Sequence, residues 1–216
     1  MTFSEFFYRR LQALPERETH TFPNAALPDP HRTAAVLLPF WPGVDGGVQV
    51  ALTRRPQHMP THAGQVSFPG GGRADAGESL DRTALREARE ELGIEPDSVC
   101  IMGRLDDAWS VAGHHVVPYV GWLPAPPRLV PNPAEVDEVL VADVGLLMRP
   151  ESSCEHRTEQ DGVTRATQAY RWESGYVWGL TADILLELFL WVEGKPSNRG
   201  HLRLKRIRPV AAIEAR

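Results

Sequence analysis

The sequence has few cysteines, no long apolar run and no recognisable targeting segment. Cys100 and Cys154 are its only cysteines and lack CxxC spacing, which excludes a disulfide framework and a zinc-binding pattern and favours a reducing compartment. The most apolar helical run, "ILLELFLWVEG", is interrupted by Glu187 and is too short to span a membrane. The N-terminus lacks the apolar core and cleavage site of a signal peptide. These absences predict a cytoplasmic protein without a membrane segment.

The charge balance shows no excess of basic residues. The 216 residues include 23 Lys and Arg against 28 Asp and Glu, a net charge of -5. Because broad nucleic-acid binding favours a basic face, we expect no nucleic-acid partner. A small phosphorylated ligand held by local groups is still compatible with this charge. The length and the hydrophobic content of 42% predict an ordinary globular protein with a substantial core.

The first 32 residues differ in pattern from the rest. Their apolar residues follow helical spacing at Phe3, Phe6, Phe7, Leu11 and Leu14, which predicts a helix packed on the body of the protein. A helix on a membrane surface or against a partner is the alternative. The proline-rich stretch "LPERETHTFPNAALPDPHR" then predicts an extended loop. We therefore divide the chain into a helix and loop at residues 1–32 and a domain at residues 33–216.

Strands and helices mix in the remaining sequence without regular βαβ alternation. Two strand-like runs are joined by a turn-like "PGVDGG", a late helix is predicted for "TADILLELFLWVEG", and the other predicted strands are "QVSFPGGG", "SVCIMGRL", "HHVVPYVGWL", "VDEVLVADV" and "TRATQAYRW". This order is typical of an α/β (α+β) domain with a mixed sheet and helices on its faces.

The strongest helical pattern covers residues 79–92 and ends at Gly93, a helix stop signal. At about 100° per residue the helix has an apolar, a basic and an acidic sector, which hold Leu85, Ala88 and Leu92; Arg82, Arg86 and Arg89; and Glu87, Glu90 and Glu91. Carboxylates at this spacing repel one another. A solvated acidic face is one interpretation. The other is a site for Mg²⁺ or Mn²⁺, which prefer oxygen ligands from adjacent turns.

A glycine-rich turn directly before this helix favours the metal site. Gly70, Gly71 and Gly72 follow "SFP", and glycines let a phosphate or a metal approach the main chain. Gly72, Glu78 and the run "REAREELGI" at residues 86–94 stand at the spacing of the Nudix box. The sequence therefore resembles the Nudix family.

The resemblance implies both a fold and a reaction. The fold is a mixed sheet sandwiched between helices, and the reaction is hydrolysis of a diphosphate bond in a nucleoside diphosphate linked to another group. Metal ions suit this reaction because they neutralise the diphosphate charge. A non-catalytic Nudix-fold binding or regulatory module is an alternative, against which the intact acidic sector argues.

The resemblance also implies roles for individual residues of the box. Glu87 and Glu91 correspond to principal metal ligands with Glu90 beside them, and the Gly71 carbonyl corresponds to a further ligand. Arg86 and Glu78 correspond to an internal ion pair that holds the box in shape. The resemblance does not identify the general base, for which the candidates are Glu87, Glu135 and Glu138.

Upstream of the box, residues 51–71 are similar to the signature of the coenzyme A diphosphatase branch of this family. That branch implies cleavage of coenzyme A or acyl-CoA to 3′,5′-ADP and a 4′-phosphopantetheine product. Ala51, Pro56 and Pro60 depart from the signature, and Pro60 replaces an arginine that could grip a charged group. A nucleotide sugar, a dinucleotide or a nucleoside triphosphate is therefore the alternative substrate.

Three residues near this signature are candidate substrate contacts: Arg55, His62 and Gln65. For Arg55 the alternative is a plain surface charge, and for the other two it is an ordinary loop residue. A homodimer is expected only because it is the commonest assembly of soluble proteins.

Overall fold

The computed structural model describes residues 1–17, 19, 21, 32–59, 63–110, 113–160 and 163–196. These residues contain four α-helices, which are α1 (Phe3–Gln12), α2 (Leu80–Leu92), α3 (Val144–Leu147) and α4 (Leu180–Val192). They also contain eleven strands, which are β1 (Arg32–Pro42), β2 (Val48–Arg54), β3 (Val66–Ser67), β4 (Gly70–Gly72), β5 (Cys100–Arg104), β6 (Ala108–Trp109), β7 (His114–Trp122), β8 (Glu138–Asp143), β9 (Ser153–Gln160), β10 (Val163–Trp172) and β11 (Gly175–Trp178).

The central sheet is mixed. Strands β1 and β7 run parallel along the whole of β7, from His114 to Trp122. Every other described pairing in this sheet is antiparallel: β2 and β4 pair with β1, β3 and β8 with β2, and β5 and β6 with β7. The turn predicted between β1 and β2 is present, because the Gly43 N–H donates to the Gly47 carbonyl at 2.9 Å. The prediction of a mixed-sheet α+β domain is confirmed.

Helices cover both faces of this sheet. On one face, α1 buries Phe7 and Leu11 completely, in the same core as Leu185 and Leu188 of α4. Thr2 caps α1 through a capping box with Glu5, which satisfies backbone donors at the helix start. On the other face, α2 packs a second core against β1. The sheet is therefore sandwiched between helices.

A second, three-stranded sheet has the order β11–β10–β9. The sequence patterns predicted only its middle strand. Strand β9, "SCEHRTEQ", carries charged residues at alternate positions and so lacks the apolar alternation by which a half-buried strand is detected. Strands β6 and β11 are two and four residues long, too short for a clear period.

Helices α2 and α4 end at the glycines that the sequence offers as stop signals. Gly93 adopts a φ of 69° directly after α2, and Gly194 a φ of 73° shortly after α4, a left-handed conformation that favours glycine and ends a helix. No helix in the described part of the chain is long and apolar enough to cross a membrane. Pro60, His62 and most of the predicted loop at residues 14–32 lie outside the described residues.

Candidate metal centre

Helix α2 is oriented by its small and apolar residues. Ala84, Ala88 and Leu92 are fully buried against Ala35 and Leu37 of β1. Leu85, which helical periodicity places in the core sector, is only partly buried, because the helix packs through Ala84 one position earlier. This rotation turns Glu91 inward, so the predicted acidic sector divides between the protein interior and the surface.

Three carboxylates converge beside this helix. Oxygen atoms of Glu87, Glu91 and Glu135 all lie within 4.8 Å of one another. Glu87 and Glu91 are one helical turn apart, and Glu135 comes from the loop before β8. Hydrogen bonds hold this loop in place: the Asn132 N–H donates to the Glu91 carbonyl, and the Asp137 N–H to the Arg54 carbonyl, both at 2.9 Å.

Glu91 is the most buried member of the cluster, with 5% of its surface exposed. The Thr53 hydroxyl donates to its carboxylate at 3.4 Å. Burial, and after it the negative charge of Glu87, raises the pKa of Glu91 from 4.5 to about 8. The positive charge of Arg55 and the Gly70 backbone act in the opposite direction without offsetting this rise. A nearby cation would stabilise the ionised form of a carboxylate that is buried beside other carboxylates.

Glu87 lies directly against the glycine-rich turn. A Cβ atom added to Gly71 would lie 2.6 Å from the carboxylate carbon of Glu87, so only glycine leaves room for this side chain. Burial raises the pKa of Glu87, while hydrogen bonding to Arg86 lowers it. The main chain of β4 and the carboxylates of α2 are therefore in close approach, as the glycines predicted.

Arg86 connects the loop to the helix. Its guanidinium donates to Glu78 at 2.8 Å, to Glu87 at 2.9 Å and to Glu90 at 3.0 Å. It also donates to the Gly72 carbonyl at 2.9 Å. The hydrogen bond to Arg86 is the main cause that lowers the pKa of Glu78 to about 2. With all these acceptors engaged, the arginine holds the site in shape and has little capacity left for a ligand.

The structure separates two of the predicted acidic candidates from this cluster. The Glu90 side chain is half exposed and pairs with Arg86, so it lies outside the three-carboxylate group. Glu138 pairs with Arg54 at 2.8 Å and is also half exposed. Of the two later acids proposed as a general base, Glu135 is therefore the one at the site.

Two of the three substrate-contact candidates, Arg55 and Gln65, lie near the end of β2. The Arg55 N–H donates to the Gln65 carbonyl at 3.0 Å, so these two residues are backbone neighbours. Arg55 is close enough to Glu91 to affect its pKa, and its buried Nε has no hydrogen-bond partner among the described residues. Pro56 is buried beside it. His62 lies outside the described residues.

The donor set fits a hard divalent cation. Three carboxylates within reach of one another supply the oxygen ligands that Mg²⁺ and Mn²⁺ prefer. Burial first, and then the charges of neighbouring carboxylates, raise the pKa values of Glu87 and Glu91, and a bound cation would stabilise their ionised forms. A mixed sheet carrying a carboxylate helix after a glycine turn defines a Nudix-type domain.

Comparison with known proteins assigns the family. The NUDIX domain family matches residues 30–157. Two proteins called "Uncharacterized Nudix hydrolase NudL", from Yersinia pestis (strain Pestoides F) and Yersinia pseudotuberculosis serotype O:1b (strain IP 31758), are each 37% identical over 191 residues, 86% of this chain and 92% of theirs. The chain belongs to the Nudix hydrolase family, whose members act on pyrophosphate bonds of nucleoside diphosphate derivatives.

Solved structures of the family resemble the chain more distantly. A C. elegans Ap4A hydrolase in a binary complex is 21% identical, with a TM-score of 0.44 over 52% of this chain and 80% of that one. A MutT/nudix family protein from Enterococcus faecalis is 16% identical, with a TM-score of 0.48 over 95% of this chain and 80% of that one. The NUDIX domain of Shewanella oneidensis NrtR, complexed with ADP ribose, is 20% identical, with a TM-score of 0.44 over 57% and 79%.

Proposed function

We propose that this protein is a metal-dependent diphosphatase of coenzyme A or an acyl derivative, which yields 3′,5′-ADP and a 4′-phosphopantetheine product. The convergence of Glu87, Glu91 and Glu135 carries the reaction class. The substrate is supported by the similarity of residues 51–71 to the signature of the coenzyme A branch.

The residues at the site divide into ligands and supports. Glu87, Glu91, Glu135 and the Gly71 carbonyl would hold Mg²⁺ or Mn²⁺. Such an ion, when bound, neutralises the charge of the diphosphate that otherwise repels an incoming nucleophile. Arg86 and Glu78 hold the glycine-rich turn against α2. Glu90 supports Arg86 from the solvent side.

Arg55 is the described residue best suited to contact the substrate. It combines a buried Nε that lacks a partner among the described residues with a position near Glu91. A guanidinium fork matches the oxygens of a phosphate. Gln65 is its backbone neighbour, and His62 belongs to the same segment of the sequence. We propose all three as substrate contacts.

Two alternatives follow from the sequence. Because Pro60 takes the place of an arginine, the protein could prefer another nucleoside diphosphate derivative, such as a nucleotide sugar or a dinucleotide, or a nucleoside triphosphate. A binding module without catalysis would have no need of three converging carboxylates. We therefore favour an enzyme, with coenzyme A first among its substrates.

The test is a substrate panel with Mg²⁺ or Mn²⁺ in ¹⁸O-labelled water. Cleavage of coenzyme A should place one labelled oxygen in one of the two phosphate monoesters formed at the former diphosphate. The 3′-phosphate ester should stay unlabelled, because water attacks a phosphorus atom of the diphosphate. Mass spectrometry distinguishes these products, and Glu91→Gln serves as the background control.

The outcomes separate the three hypotheses. Intact coenzyme A and thioesters, together with cleavage of a nucleotide sugar, a dinucleotide or a nucleoside triphosphate, would refute the substrate and retain the enzyme class. Cleavage of no substrate in the panel would favour a binding module. Cleavage of coenzyme A that Glu91→Gln leaves unchanged would contradict the site.

The wider setting is proposed on sequence grounds. We expect a cytoplasmic homodimer that binds neither nucleic acid nor membranes. Residues 33–216 would form the catalytic domain, and residues 1–32 an N-terminal extension whose helix packs on the domain core.

A further inference from the structure

The outer edge of β9 pairs with no other strand in the described part of the chain. The small sheet has the order β11–β10–β9, which leaves β9 at one end. A free edge presents N–H and C=O groups that can bind another strand. No residue of the carboxylate cluster lies on this sheet, so a role for this edge would be separate from the metal centre.

Strand β9 is held in an extended form by the rest of the sheet. It pairs with β10 along its whole length, from Ser153 to Gln160. The His156 ring stacks on Trp178 of β11 with 4.1 Å between the ring centroids. Its Nδ1 lies 2.9 Å from the Tyr176 hydroxyl, also on β11. An edge that is already ordered loses little conformational entropy when it binds.

The charged residues of β9 alternate in sign along one face. Glu155, Arg157 and Glu159 are all exposed, and Arg157 pairs with Glu155 of the same strand at 3.0 Å. Edge strands that carry charge of one sign repel a copy of themselves. With the order Glu, Arg, Glu, two antiparallel copies can instead place acidic residues opposite basic ones when one strand is shifted along the other. The charge order therefore favours a second copy of this chain as the partner.

The charges also select the register. In an antiparallel pair, the backbone N–H and C=O groups of successive residues point alternately toward and away from the neighbouring strand. When two β9 strands pair about a two-fold axis, odd-numbered residues therefore lie opposite odd-numbered ones and even-numbered residues opposite even-numbered ones. An axis at Arg157 would set Arg157 against its own copy and Glu155 against Glu159, which is destabilising. An axis at His156 sets Glu155 against Arg157 twice and pairs residues 153–159. An axis at Thr158 also matches charges but pairs a shorter segment.

We propose that the protein dimerises by antiparallel pairing of β9 with β9 of a second copy about an axis at His156. This inference rests on the homodimer proposed above and assigns its surface. Each opposite-charge pair across strands contributes only modestly to the stability of the pairing. The charges thus choose the register, and backbone hydrogen bonds supply most of the affinity. A short edge of this kind buries little surface, so the dimer should be weak and should dissociate on dilution.

Charge exchange at Glu155 and Arg157 tests the pairing. Sedimentation equilibrium of the wild type, from micromolar to millimolar concentration, should give a dimer. Arg157→Glu alone and Glu155→Arg alone should each dimerise about tenfold more weakly or worse, since in the proposed register each places like charges opposite one another twice. An equimolar mixture of the two variants should form heterodimers, and the double variant should dimerise again. Arg149→Glu and Glu173→Arg, exposed sites outside β9, should leave the dimer unchanged.

Disulfide trapping tests the register. In the proposed pairing Cys154 faces Thr158 of the second copy. In a Cys100→Ser background, Thr158→Cys should therefore give a covalent dimer on mild oxidation. Within one strand the two thiols are about 13 Å apart, too far for an internal bond. Adding Cys154→Ala should abolish the covalent dimer; persistence of the link would place the axis at Thr158 and overturn the register.

Two results would overturn the surface assignment. One is a wild type that is monomeric at every concentration, and the other is a dimer whose dissociation constant Arg157→Glu leaves unchanged. Melting curves check that each variant is folded, as expected for exposed positions. The mass of the assembly and the turnover are measured independently, so neither result would count against the proposed diphosphatase activity, which the substrate panel tests.

Discussion

The guanidinium of Arg86 lies 2.8 Å from the carboxylate of Glu78, eight residues earlier in the chain, and this contact closes the glycine-rich turn onto α2. Glu78 also accepts from the Ala74 N–H at 2.8 Å and from the Thr83 hydroxyl at 2.9 Å. The loop before α2 is thus organised around one carboxylate, which must be ionised to serve Arg86 and Ala74 together.

Glu78 makes the stability of the fold depend on pH. The hydrogen bond to Arg86 lowers the pKa of Glu78 from 4.5 to about 2. The contribution of Glu78 is therefore fully present above about pH 4.5 and is lost as the pH falls toward 2. Glu78→Gln should be less stable than the wild type at pH 7, and the difference should shrink over this window. Thermal unfolding measures it, and a loss of about 1 kcal/mol corresponds to about 2–4 °C.

Glu95→Gln is the matched control, because Glu95 pairs with Arg89 of α2 at 3.5 Å and both side chains are mostly exposed. Exposed pairs contribute little, so this variant should follow the wild type at every pH. A Glu78→Gln difference that is constant from pH 7 to 2 would contradict the linkage.

The main role of Arg86 should be to hold the glycine-rich loop in place, and its effect on the substrate should follow from that. Arg86→Ala removes the donors to Glu78 and to the Gly72 carbonyl. Hydrogen exchange of the backbone at residues 70–79 should therefore become faster, together with a loss of activity. Arg82→Ala, an exposed arginine on the same helix, should change neither. If activity falls while loop exchange is unchanged, Arg86 contacts the substrate directly.

Glu91 should be necessary for turnover and dispensable for folding. Burial, and after it the charge of Glu87, raises the pKa of its carboxylate to about 8, so the ionised form is unfavourable in the metal-free protein. Glu91→Gln should lower turnover by about a hundredfold or more, the scale of losing one electrostatic group at a reacting centre. In EDTA its melting temperature should equal or exceed that of the wild type. Near-normal turnover at saturating Mg²⁺ would disprove the metal site.

Helix α2 shows which features of the site are predictable from the sequence and which are not. The spacing of "REAREELGI" predicted the helix, its stop at Gly93 and the proximity of Glu87 to Glu91. It did not predict that Glu91 is buried while Glu90 is half exposed. That difference depends on what packs against each side of α2, and helical periodicity contains no information about the neighbouring strands.

Sequence patterns alone could not identify Glu135 as the third carboxylate of the cluster. Glu135 was one of two later acids that could have joined the site, and only the contact of its loop with the end of α2 distinguishes it from Glu138. The Val130 N–H donates to the Leu92 carbonyl at 2.8 Å and the Asn132 N–H to the Glu91 carbonyl at 2.9 Å. These contacts join segments about forty residues apart, and no local sequence period relates residues at that separation.

Glu135 should act as a metal ligand. Glu135→Gln should raise the Mg²⁺ concentration needed for half-maximal activity, and higher Mg²⁺ should restore much of the rate, since two carboxylates of the cluster are retained. Glu138→Gln, which removes an acid paired with Arg54 outside the cluster, should leave the Mg²⁺ dependence unchanged. A lower rate at saturating Mg²⁺ with an unaltered Mg²⁺ dependence would instead identify Glu135 as the general base.

The three glycines of β4 should respond differently to alanine, because an added Cβ meets different atoms at each. At Gly70 it would lie 2.4 Å from the Ala35 carbonyl oxygen, a backbone atom that cannot move away, so Gly70→Ala should destabilise the fold. At Gly72 the nearest atom is 4.0 Å away, so Gly72→Ala should keep stability and activity.

Gly71 lies between these two cases. Its Cβ would meet the carboxylate of Glu87 at 2.6 Å, the flexible end of a side chain that can turn aside without unfolding the protein. Gly71→Ala should therefore melt near the wild-type temperature while it displaces Glu87, weakens Mg²⁺ binding and lowers turnover. Melting curves and turnover measured over a range of Mg²⁺ concentrations separate these effects. Full activity in Gly71→Ala would mean that Glu87 does not need its present position, and the assignment of Glu87 and the Gly71 carbonyl as ligands would be wrong.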